Sequence, residues 1–334
     1  MKKIHLAILG AGNVATGLAC ELAKKGHSVN LYCIEPDVLK QINKTHFNDK
    51  YLAGIRLPKT IRAFADLQEC LKTAKIIFVA VPSHVAVEVI KQAKPFMPKN
   101  AVVACITKGL DPKTYEPTVI AIQKALPREQ KSTLCMIGGP AMATELAKGS
   151  TTAFVVACKQ ATARSLVANL LRGGNVKAAE SADLMGVGLA SALKNVYAIS
   201  LGFCDGLQYP ANTKALIVTL AVSEMAGIML RAGADQKTAP SLAGLGDLLV
   251  TGLSPYGHNR KYGERLIRAH TNDPSRLGLT TVEGIRTSET ALRLAKKLKA
   301  RTPLLIAIHK GIHAKSNFQK PFENFLKNLK LGII

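Results

Sequence analysis

Lys194 lies in an apolar stretch of the chain, SALKNVYAISLGF (191–203). The alanine, leucine, valine and isoleucine residues around it predict a helix that is buried on most sides. A lysine is rarely buried without a partner for its charge, and burial lowers its pKa toward neutrality, where it exchanges a proton efficiently with a reacting group. Lys194 is therefore a candidate general acid/base. The alternative is a structural lysine whose stem packs inside while its amine reaches water.

A glycine-rich turn near the start of the chain is a candidate phosphate-binding site. The apolar run IHLAIL ends at Gly10 and Gly12, and a helical pattern follows. This context lets the pyrophosphate of a dinucleotide approach the backbone and places it at the N–H groups of a helix N-terminus. Ala15 takes the third glycine position, where alanine is accepted. Glu35 follows the next predicted strand and is placed to accept hydrogen bonds from the adenosine ribose.

These motifs belong to a pattern of strands that alternate with helices. Short apolar runs rich in β-branched residues predict the strands of a buried parallel sheet. The predicted strands are 4–9, 28–33, 76–81, 101–106, 133–138 and 153–157. Ligands of such sheets bind beyond the carboxyl ends of the strands. Lys108 follows one such end and is a candidate ligand-binding residue, with a solvated surface lysine as the alternative.

The pattern changes after about residue 188, where helical periods dominate. The predicted helices are 186–203, 211–232, 238–250, 258–269, 283–299 and 302–314. The sequence therefore predicts an α/β N-terminal domain with a Rossmann-type doubly wound sheet (1–188) and an all-α C-terminal domain (189–334). The helix that carries Lys194 would begin the second domain.

The charge balance is strongly basic. Lysine and arginine number 45 against 22 acidic residues, a formal net charge of +23, and residues 256–334 hold 16 of the former and 5 of the latter. Such a charge attracts anions, including phosphorylated metabolites and dinucleotides. Aromatic residues make up only 5% of the chain and tryptophan is missing. Nucleic-acid binding by base stacking is therefore not expected.

Cysteine usage indicates a reducing compartment. The seven cysteines are scattered and contain no Cys-x-x-Cys pair, so we expect reduced thiols in a cytoplasmic protein and no metal site. No uninterrupted apolar run reaches the eighteen or so residues that cross a bilayer, so we expect no transmembrane segment. The N-terminal apolar run stops at Gly10, which favours a first strand over a signal peptide.

Several segments together resemble a known family, the bacterial type of NAD(P)-dependent glycerol-3-phosphate dehydrogenase. The matching segments are GAGNVATGLA (10–19), NDKYLAGIRLP (48–58), VPSH (81–84), TKGL (107–110), GGPAMATE (138–145), GVGLASALKNVYAISLGFCDGL (186–207), NTKALIV (212–218) and GLGDLLVT (244–251). They occur in the family's order, and KNVYAI and GLGDLLVT are its most specific segments.

The resemblance implies a reaction and catalytic roles. The reaction is reversible hydride transfer between NAD(P)H and dihydroxyacetone phosphate, which gives sn-glycerol 3-phosphate for glycerophospholipid synthesis. Lys194 is similar to the family's general base, Asp247 to the acid that orients its amine, and Lys108 to a substrate-contacting lysine with a catalytic role. The resemblance also implies a homodimer.

The family's binding residues carry over onto named positions. The resemblance places the substrate against Lys108, Gly139, Ala141, Asn195, Thr251, Gly257, His258 and Asn259. It places the cofactor against Gly10, Gly12, Asn13, Val14, Ala15, Ile34, Glu35, Lys108, Ala143, His258, Thr281 and Glu283.

Some positions depart from the family pattern and identify a divergent member. His258 stands where the family has an arginine that holds the substrate phosphate, so either Arg260 replaces that arginine or phosphate binding is weaker. Ala141 lacks the usual hydroxyl, and Asn13-Val14 replaces a serine–aromatic pair. Ile34 stands where a basic residue often contacts a 2′-phosphate, so NAD is expected to be favoured over NADP.

Two other functions stay open on the sequence alone. One is a dinucleotide-binding relative with weak or lost activity that acts as a sensor or regulator, which the change at His258 favours. The other is a reductase for a different small 2-oxo compound, which the phosphate-binding residues would decide.

Overall fold

The computed structural model describes residues 3–279 and 282–331. The chain folds as two compact units. The first contains the residues up to Asp111 and those from Pro117 to Gly188, and the second contains Pro112–Glu116 and the chain from Leu189 onward.

The first unit is built on one sheet, and the described residues give it eight strands in the order β3-β2-β1-β4-β5-β6-β7-β8. The strands are β1 (His5–Leu9), β2 (Ser28–Tyr32), β3 (Ile61–Phe64), β4 (Ile76–Val79), β5 (Val102–Cys105), β6 (Cys135–Gly138), β7 (Thr152–Ala157) and β8 (Val176–Ser181). Strand order reverses beside β1, so the fold is doubly wound, as predicted. The predicted all-parallel sheet is wrong at one place, because β6 and β7 pair antiparallel.

Helices connect these strands. They are α1 (Asn13–Lys24), α2 (Pro36–Thr45), α3 (Asp49–Leu52), α4 (Leu67–Leu71), α5 (Ser83–Ala93), α6 (Thr118–Ala125), α7 (Arg128–Lys131), α8 (Ala143–Ala147) and α9 (Ala161–Leu171). The core consists of sheet residues that are buried on both faces, such as Ala7 and Ile8, and of helix residues packed against them, such as Leu18. Such burial explains the continuous apolar runs of the central strands.

The second unit is helical, as predicted. Its helices are α10 (Leu184–Gly206), which begins in the first unit, α11 (Ala211–Arg231), α12 (Asp247–Leu253), α13 (His258–Ala269), α14 (Glu283–Lys297), α15 (Pro303–Ile312) and α16 (Lys320–Lys327). A π-helical turn, Leu242–Gly246, leads directly into α12. Two short 3₁₀ helices complete the described elements. One, Lys94–Phe96, lies in the first unit, and the other, Gln236–Thr238, lies in the second.

Two helices, α10 and α11, are long and apolar enough to cross a membrane by length and composition alone, which the count of uninterrupted apolar residues did not indicate. In α10, 94% of the most apolar window is buried inside the protein, as in the core helix of a soluble protein, but in α11 only 33% is buried. Length and composition are therefore weak indications of a membrane span here.

Candidate active site

The glycine turn of the first unit has the geometry that a pyrophosphate requires. Gly10 has φ +117°, and a Cβ there would come within 2.7 Å of the Ala80 carbonyl oxygen, so only glycine fits. Gly12 precedes the first residue of α1, and a Cβ there would meet nothing within 4 Å. The space above Gly12 is thus open to a ligand, and the residues present fit a dinucleotide phosphate.

The first turn of α1 is exposed toward that space. The side chains of Asn13 and Val14 are exposed, whereas Ala15 is buried. Within residues 3–279 and 282–331, no side chain caps this helix N-terminus by a hydrogen bond. Its N–H groups and the positive end of the helix dipole therefore remain for an anion.

Asn48 stabilises the glycine turn by side-chain hydrogen bonds, a role that the sequence pattern does not indicate. Its amide nitrogen donates to the Ala11 carbonyl at 2.9 Å and to the Thr16 hydroxyl at 2.8 Å. The Thr16 hydroxyl in turn donates to the Gly12 carbonyl at 2.9 Å. The signal was present, because Asn48 begins the quoted segment NDKYLAGIRLP, but contacts 32 or more residues apart do not follow from local pattern.

Glu35 follows β2 and precedes α2, the position expected for a ribose-binding acid. Its carboxylate forms an ion pair with Lys50 and accepts a hydrogen bond from the Tyr51 hydroxyl at 2.7 Å. The Lys50 ammonium and the Tyr51 hydroxyl hold the pKa of Glu35 below its usual range. Ile34 is 77% exposed. The residues next to Glu35 in sequence include no cation, but the structure places Lys50 beside its carboxylate.

A second group of predicted residues surrounds the end of β6. The Lys108 amine donates to the Gly139 carbonyl at 3.5 Å. Gly139 has φ +105°, and a Cβ there would come within 2.8 Å of the Ala153 carbonyl. The structure brings the predicted residues Val14, Lys108, Gly139, Ala141 and Ala143 together around one small cavity.

In the second unit, Lys194 is held by two residues of α12. Its amine lies 3.0 Å from Asp247 Oδ1 and donates to Thr251 Oγ1 at 2.5 Å. The Lys194 residue is 7% exposed and Asp247 is 1% exposed. The buried amine therefore has the charged partner that burial requires, and a snorkelling lysine does not describe it.

The local sequence explains why these partners converge. Asp247 and Thr251 are four residues apart on α12, so their side chains lie on one face of the helix. A π-helical turn, Leu242–Gly246, directly precedes this helix. Such turns are frequent at functional sites. At Gly244 in that turn, a Cβ would collide with the Ala239 carbonyl, so glycine is required.

A buried amide network lies one residue further along α10. Asn259 of α13 donates from its side chain to Asn195 Oδ1 at 3.0 Å. The Asn259 amide oxygen accepts from the Gly284 backbone N–H at 2.9 Å. Asn195 and Asn259 were predicted to bind substrate, and the structure brings them together while Asn259 also holds the first turn of α14.

The loop before α13 carries the position where the family arginine is replaced. Gly257 packs against the Thr251 carbonyl, and His258 begins α13 with an exposed side chain. The proposed substitute Arg260 points elsewhere: its Nε lies 2.6 Å from Asp205 Oδ2 and its Nη2 3.3 Å from Glu264. Arg260 is thus engaged in an ion-pair network, which favours the other alternative, weaker phosphate binding.

Two predicted cofactor contacts, Glu283 and Thr281, remain. Glu283 is the first residue of α14 and is half-buried. Thr281 lies outside the described residues. In the part of the chain that the structure describes, no group of three His, Cys, Asp or Glu side chains is arranged to hold a metal ion.

Comparison with known proteins gives one consistent result over the whole chain. The family models for the N-terminus and the C-terminus of NAD-dependent glycerol-3-phosphate dehydrogenase match residues 5–164 and 183–323. The glycerol-3-phosphate dehydrogenase [NAD(P)+] of Bacillus velezensis is 32% identical, covering 99% of this chain and 95% of that protein. That of Anaeromyxobacter dehalogenans is 34% identical, covering 93% and 94%.

A solved structure supports the same assignment. The crystal structure of glycerol-3-phosphate dehydrogenase from Coxiella burnetii superposes with a TM-score of 0.91 at 30% identity and covers 98% of this chain and 99% of that one. The Rossmann-type sheet and the helical second unit agree with the two matched domains. This chain therefore belongs to the NAD-dependent glycerol-3-phosphate dehydrogenase family.

Proposed function

We propose that the protein catalyses reversible hydride transfer between NAD(P)H and dihydroxyacetone phosphate, giving sn-glycerol 3-phosphate, a precursor of glycerophospholipids. The observation that carries the proposal is the Lys194 amine, which is buried and fixed between Asp247 and Thr251. A protein that only binds a dinucleotide does not require a buried base. The names of the relatives support the same substrate.

Lys194 moves the proton in this reaction. In the direction of reduction its ammonium gives a proton to the carbonyl oxygen of the substrate, and in the reverse direction the neutral amine takes the hydroxyl proton. Asp247 and Thr251 orient the amine, so that the proton is delivered along one direction. When bound, the nicotinamide supplies or accepts the hydride.

The other predicted residues have binding roles in this proposal. Residues 1–188 bind the cofactor and 189–334 carry most of the substrate contacts. The substrate contacts are Lys108, Gly139, Ala141, Asn195, Thr251, Gly257, His258 and Asn259. The cofactor contacts are Gly10, Gly12, Asn13, Val14, Ala15, Ile34, Glu35, Lys108, Ala143, His258, Thr281 and Glu283.

Substitution of Lys194 tests the catalytic role. Lys194→Ala should lower turnover by roughly 100-fold or more, the scale of losing a general base, while dinucleotide binding stays near that of the unmodified protein. Lys214→Ala is the matched control, because Lys214 is also paired with an aspartate, at 2.5 Å from Asp205, but has no proposed role. Steady-state oxidation of NADH and cofactor titration measure the two effects. Normal turnover in Lys194→Ala would refute the proposal.

Cofactor choice is a finer part of the proposal. Glu35 repels a 2′-phosphate, so NADH should be used more efficiently than NADPH, but the Lys50 ammonium beside it reduces that repulsion. We therefore expect a modest preference for NADH, and Lys50→Ala should widen it several-fold. Direct binding of both reduced cofactors, followed by fluorescence, measures the preference. Tighter binding of NADPH than NADH would contradict it.

We further propose a cytoplasmic homodimer. The seven cysteines are free thiols in the structure, which supports a reducing compartment. Exposed apolar residues on α11, including Leu230 at 59% exposure, support a surface that a second copy covers. Sedimentation velocity of the protein and of Leu230→Lys tests this, and a monomer at micromolar concentration would contradict it.

The two alternative functions are separated by substrate. Turnover of dihydroxyacetone phosphate excludes a sensor without activity. Comparison with dihydroxyacetone and other unphosphorylated 2-oxo compounds decides whether the phosphate is recognised. Equal efficiency with and without phosphate would favour a different 2-oxo substrate.

A further inference from the structure

Two cysteines face each other across neighbouring strands of the first unit. β6 and β7 pair antiparallel with Met136 opposite Ala157, so the next pair outward is Cys135 opposite Cys158. Directly opposed residues in an antiparallel pair have Cα atoms about 4.5–5.5 Å apart. That separation lies within the range of about 4.4–6.8 Å that a disulfide bridges without backbone movement.

The two thiols also lie against neighbouring carbonyls. Cys135 Sγ donates to the Thr133 carbonyl at 3.5 Å, and Cys158 Sγ donates to the Ser132 carbonyl at 3.6 Å. The Cys135 thiol, the Gln160 backbone N–H and the Arg164 guanidinium lower the pKa of Cys158 despite its burial. The Cys158 sulfur and burial raise the pKa of Cys135. Cys158 is therefore the sulfur that ionises first, and Cys135 stands beside it as a thiol.

The surroundings keep this sulfur oriented and near the surface. Arg164 donates to the Cys158 carbonyl at 2.9 Å, and its guanidinium also pairs with Glu180. Both cysteines are fully buried, but Lys159 follows Cys158 directly and is exposed. The turn that precedes β6 is also exposed at Ser132. Exposed residues therefore flank the buried pair in the chain on both sides.

The other thiols differ from this pair. Burial raises the pKa of Cys20, Cys33, Cys70, Cys105 and Cys204. A thiol that stays protonated reacts slowly with oxidants, because the thiolate is the nucleophile. The geometry thus singles out one pair among seven cysteines.

We propose that Cys135 and Cys158 form a reversible cross-strand disulfide when the protein meets a small hydroperoxide. The Cys158 thiolate attacks one peroxide oxygen, the O–O bond breaks, and hydroxide leaves as water, giving a sulfenic acid on Cys158. The Cys135 sulfur then attacks the Cys158 sulfur, the S–O bond breaks, and a second water leaves with the proton of Cys135. Two thiols are oxidised and one hydroperoxide is reduced.

Mapping of the cysteines after oxidation tests the proposal. The protein is treated with hydrogen peroxide, its free thiols are alkylated after denaturation, and its peptides are identified by mass spectrometry. A peptide pair joined through Cys135 and Cys158 should form and should disappear with dithiothreitol. Cys20, Cys70 and Cys105 should remain alkylatable under the same treatment.

Variants separate the two roles. Cys135→Ser should stop at a sulfenic acid on Cys158, which dimedone traps, and Cys158→Ser should leave Cys135 as a thiol. Cys135→Ala and Cys158→Ala repeat the test where serine disturbs folding. Oxidation of Cys158 to sulfinic acid while Cys135 stays a thiol would overturn the proposal, as would faster oxidation of Cys20 or Cys70 than of Cys158.

A stability measurement gives an independent readout. The cross-link closes a loop of about 24 residues in the unfolded chain and should raise the melting temperature of the oxidised protein by on the order of 5 °C. The two serine variants should show no such rise after the same treatment. An unchanged melting temperature in a fully cross-linked protein would mean that the bridge strains the sheet, contrary to the opposed geometry on which the proposal rests.

Discussion

The Lys194 amine lies between burial, which favours its neutral form, and the Asp247 carboxylate 3.0 Å away, which favours its charged form. Asp247→Asn removes the second influence and keeps the shape. In the direction of glycerol 3-phosphate oxidation, the neutral amine is the active form. The rising limb of the pH–rate profile should therefore move to lower pH, with turnover reduced by roughly 10-fold or more through lost orientation.

The pH–rate profile of Asp247→Asn is compared with that of Thr251→Val, which removes the hydroxyl and leaves the charge pair. Thr251→Val should lower turnover with little movement of the limb. If the rising limb of the pH–rate profile of Asp247→Asn stays at the same pH, then Asp247 positions the Lys194 amine without changing its protonation.

His258 begins α13 at a position where the family has an arginine. Arg260 is engaged with Asp205, so it offers no compensation. A charge-assisted bidentate bond is about twice as strong as a neutral one. His258→Arg should therefore lower the Michaelis constant for dihydroxyacetone phosphate. If both His258→Arg and His258→Ala leave that constant unchanged, His258 does not contact the phosphate.

At the scale of the elements, glycine sets how closely α14 packs on α10. At Gly284 a Cβ would come within 2.6 Å of the Asn195 carbonyl and 2.8 Å of Asn259 Oδ1. Gly284→Ala should therefore displace the amide network and destabilise the protein by about 1–3 kcal/mol, with loss of activity. Gly227→Ala in α11 is the control for helix propensity, because a Cβ there meets nothing within 4 Å, and its sedimentation is measured as well, since α11 carries the proposed dimer surface.

Thermal denaturation and turnover measure both variants. Gly227→Ala should be neutral or stabilising by up to about 1 kcal/mol, because alanine favours a helix over glycine. A Gly284→Ala variant as stable and active as the unmodified protein would show that α14 is free to move away from α10.

Glu224 joins α10, α11 and α15. Its carboxylate accepts hydrogen bonds from the Leu304 and Leu305 backbone N–H groups at 2.6 and 3.0 Å and from the Tyr197 hydroxyl at 2.9 Å. Burial raises the pKa of Glu224 to about 7. The folded protein thus holds this proton more tightly than the unfolded chain, and stability should fall as pH rises from about 4.5 to about 7.

Glu224→Gln removes this titration. Relative to the variant, the unmodified protein should lose up to about 3 kcal/mol across that window and nothing more above it. Urea denaturation of both proteins at pH 5, 6, 7 and 8 measures the difference. A difference in unfolding free energy that is constant over these pH values would contradict the raised pKa.

The elements also show where sequence reasoning succeeds and where it stops. The six predicted strands and five of the six predicted helices form because their apolar runs are continuous or periodic. The predicted helix 238–250 is wrong in its bounds, because a π-helical turn (Leu242–Gly246) precedes α12, which runs from Asp247 to Leu253. β3 (IRAF) and β8 (VKAAES) were missed, since one is four residues long and the other is mostly exposed. α16 was also missed. Strand direction at β6 and β7 depends on the connection rather than on composition, so no apolar pattern indicates it.

Site residues were also found from local pattern and missed where they depend on contacts that are distant in sequence. Lys194 was found because a charge interrupts an apolar helix, and the glycine turn because spacing fixes its geometry. The partners Lys50, Asn48 and Glu224 were missed, because a pair such as Lys50 and Glu35 joins exposed positions 15 residues apart. The sequence leaves Arg260 open as a substitute for the missing arginine, because its acidic partner Asp205 is distant in sequence.

At the scale of the whole molecule, the net charge of +23 is spread over a chain whose ion pairs are mostly local. Surface pairs such as Lys72 with Glu69 contribute little stability. The excess positive charge attracts anions, and this attraction weakens as ionic strength rises.

The five residues Pro112–Glu116 belong to the second compact unit although the first unit surrounds them in the chain. Within the second unit, Tyr115 accepts a hydrogen bond from Arg293 at 3.0 Å. During translation, Tyr115 leaves the ribosome long before Arg293 has been synthesised. The Pro112–Glu116 segment therefore lacks its Arg293 contact while the first unit is being synthesised. A chain cut between Gly188 and Leu189 would consequently leave Pro112–Glu116 on a different fragment from the rest of the second unit.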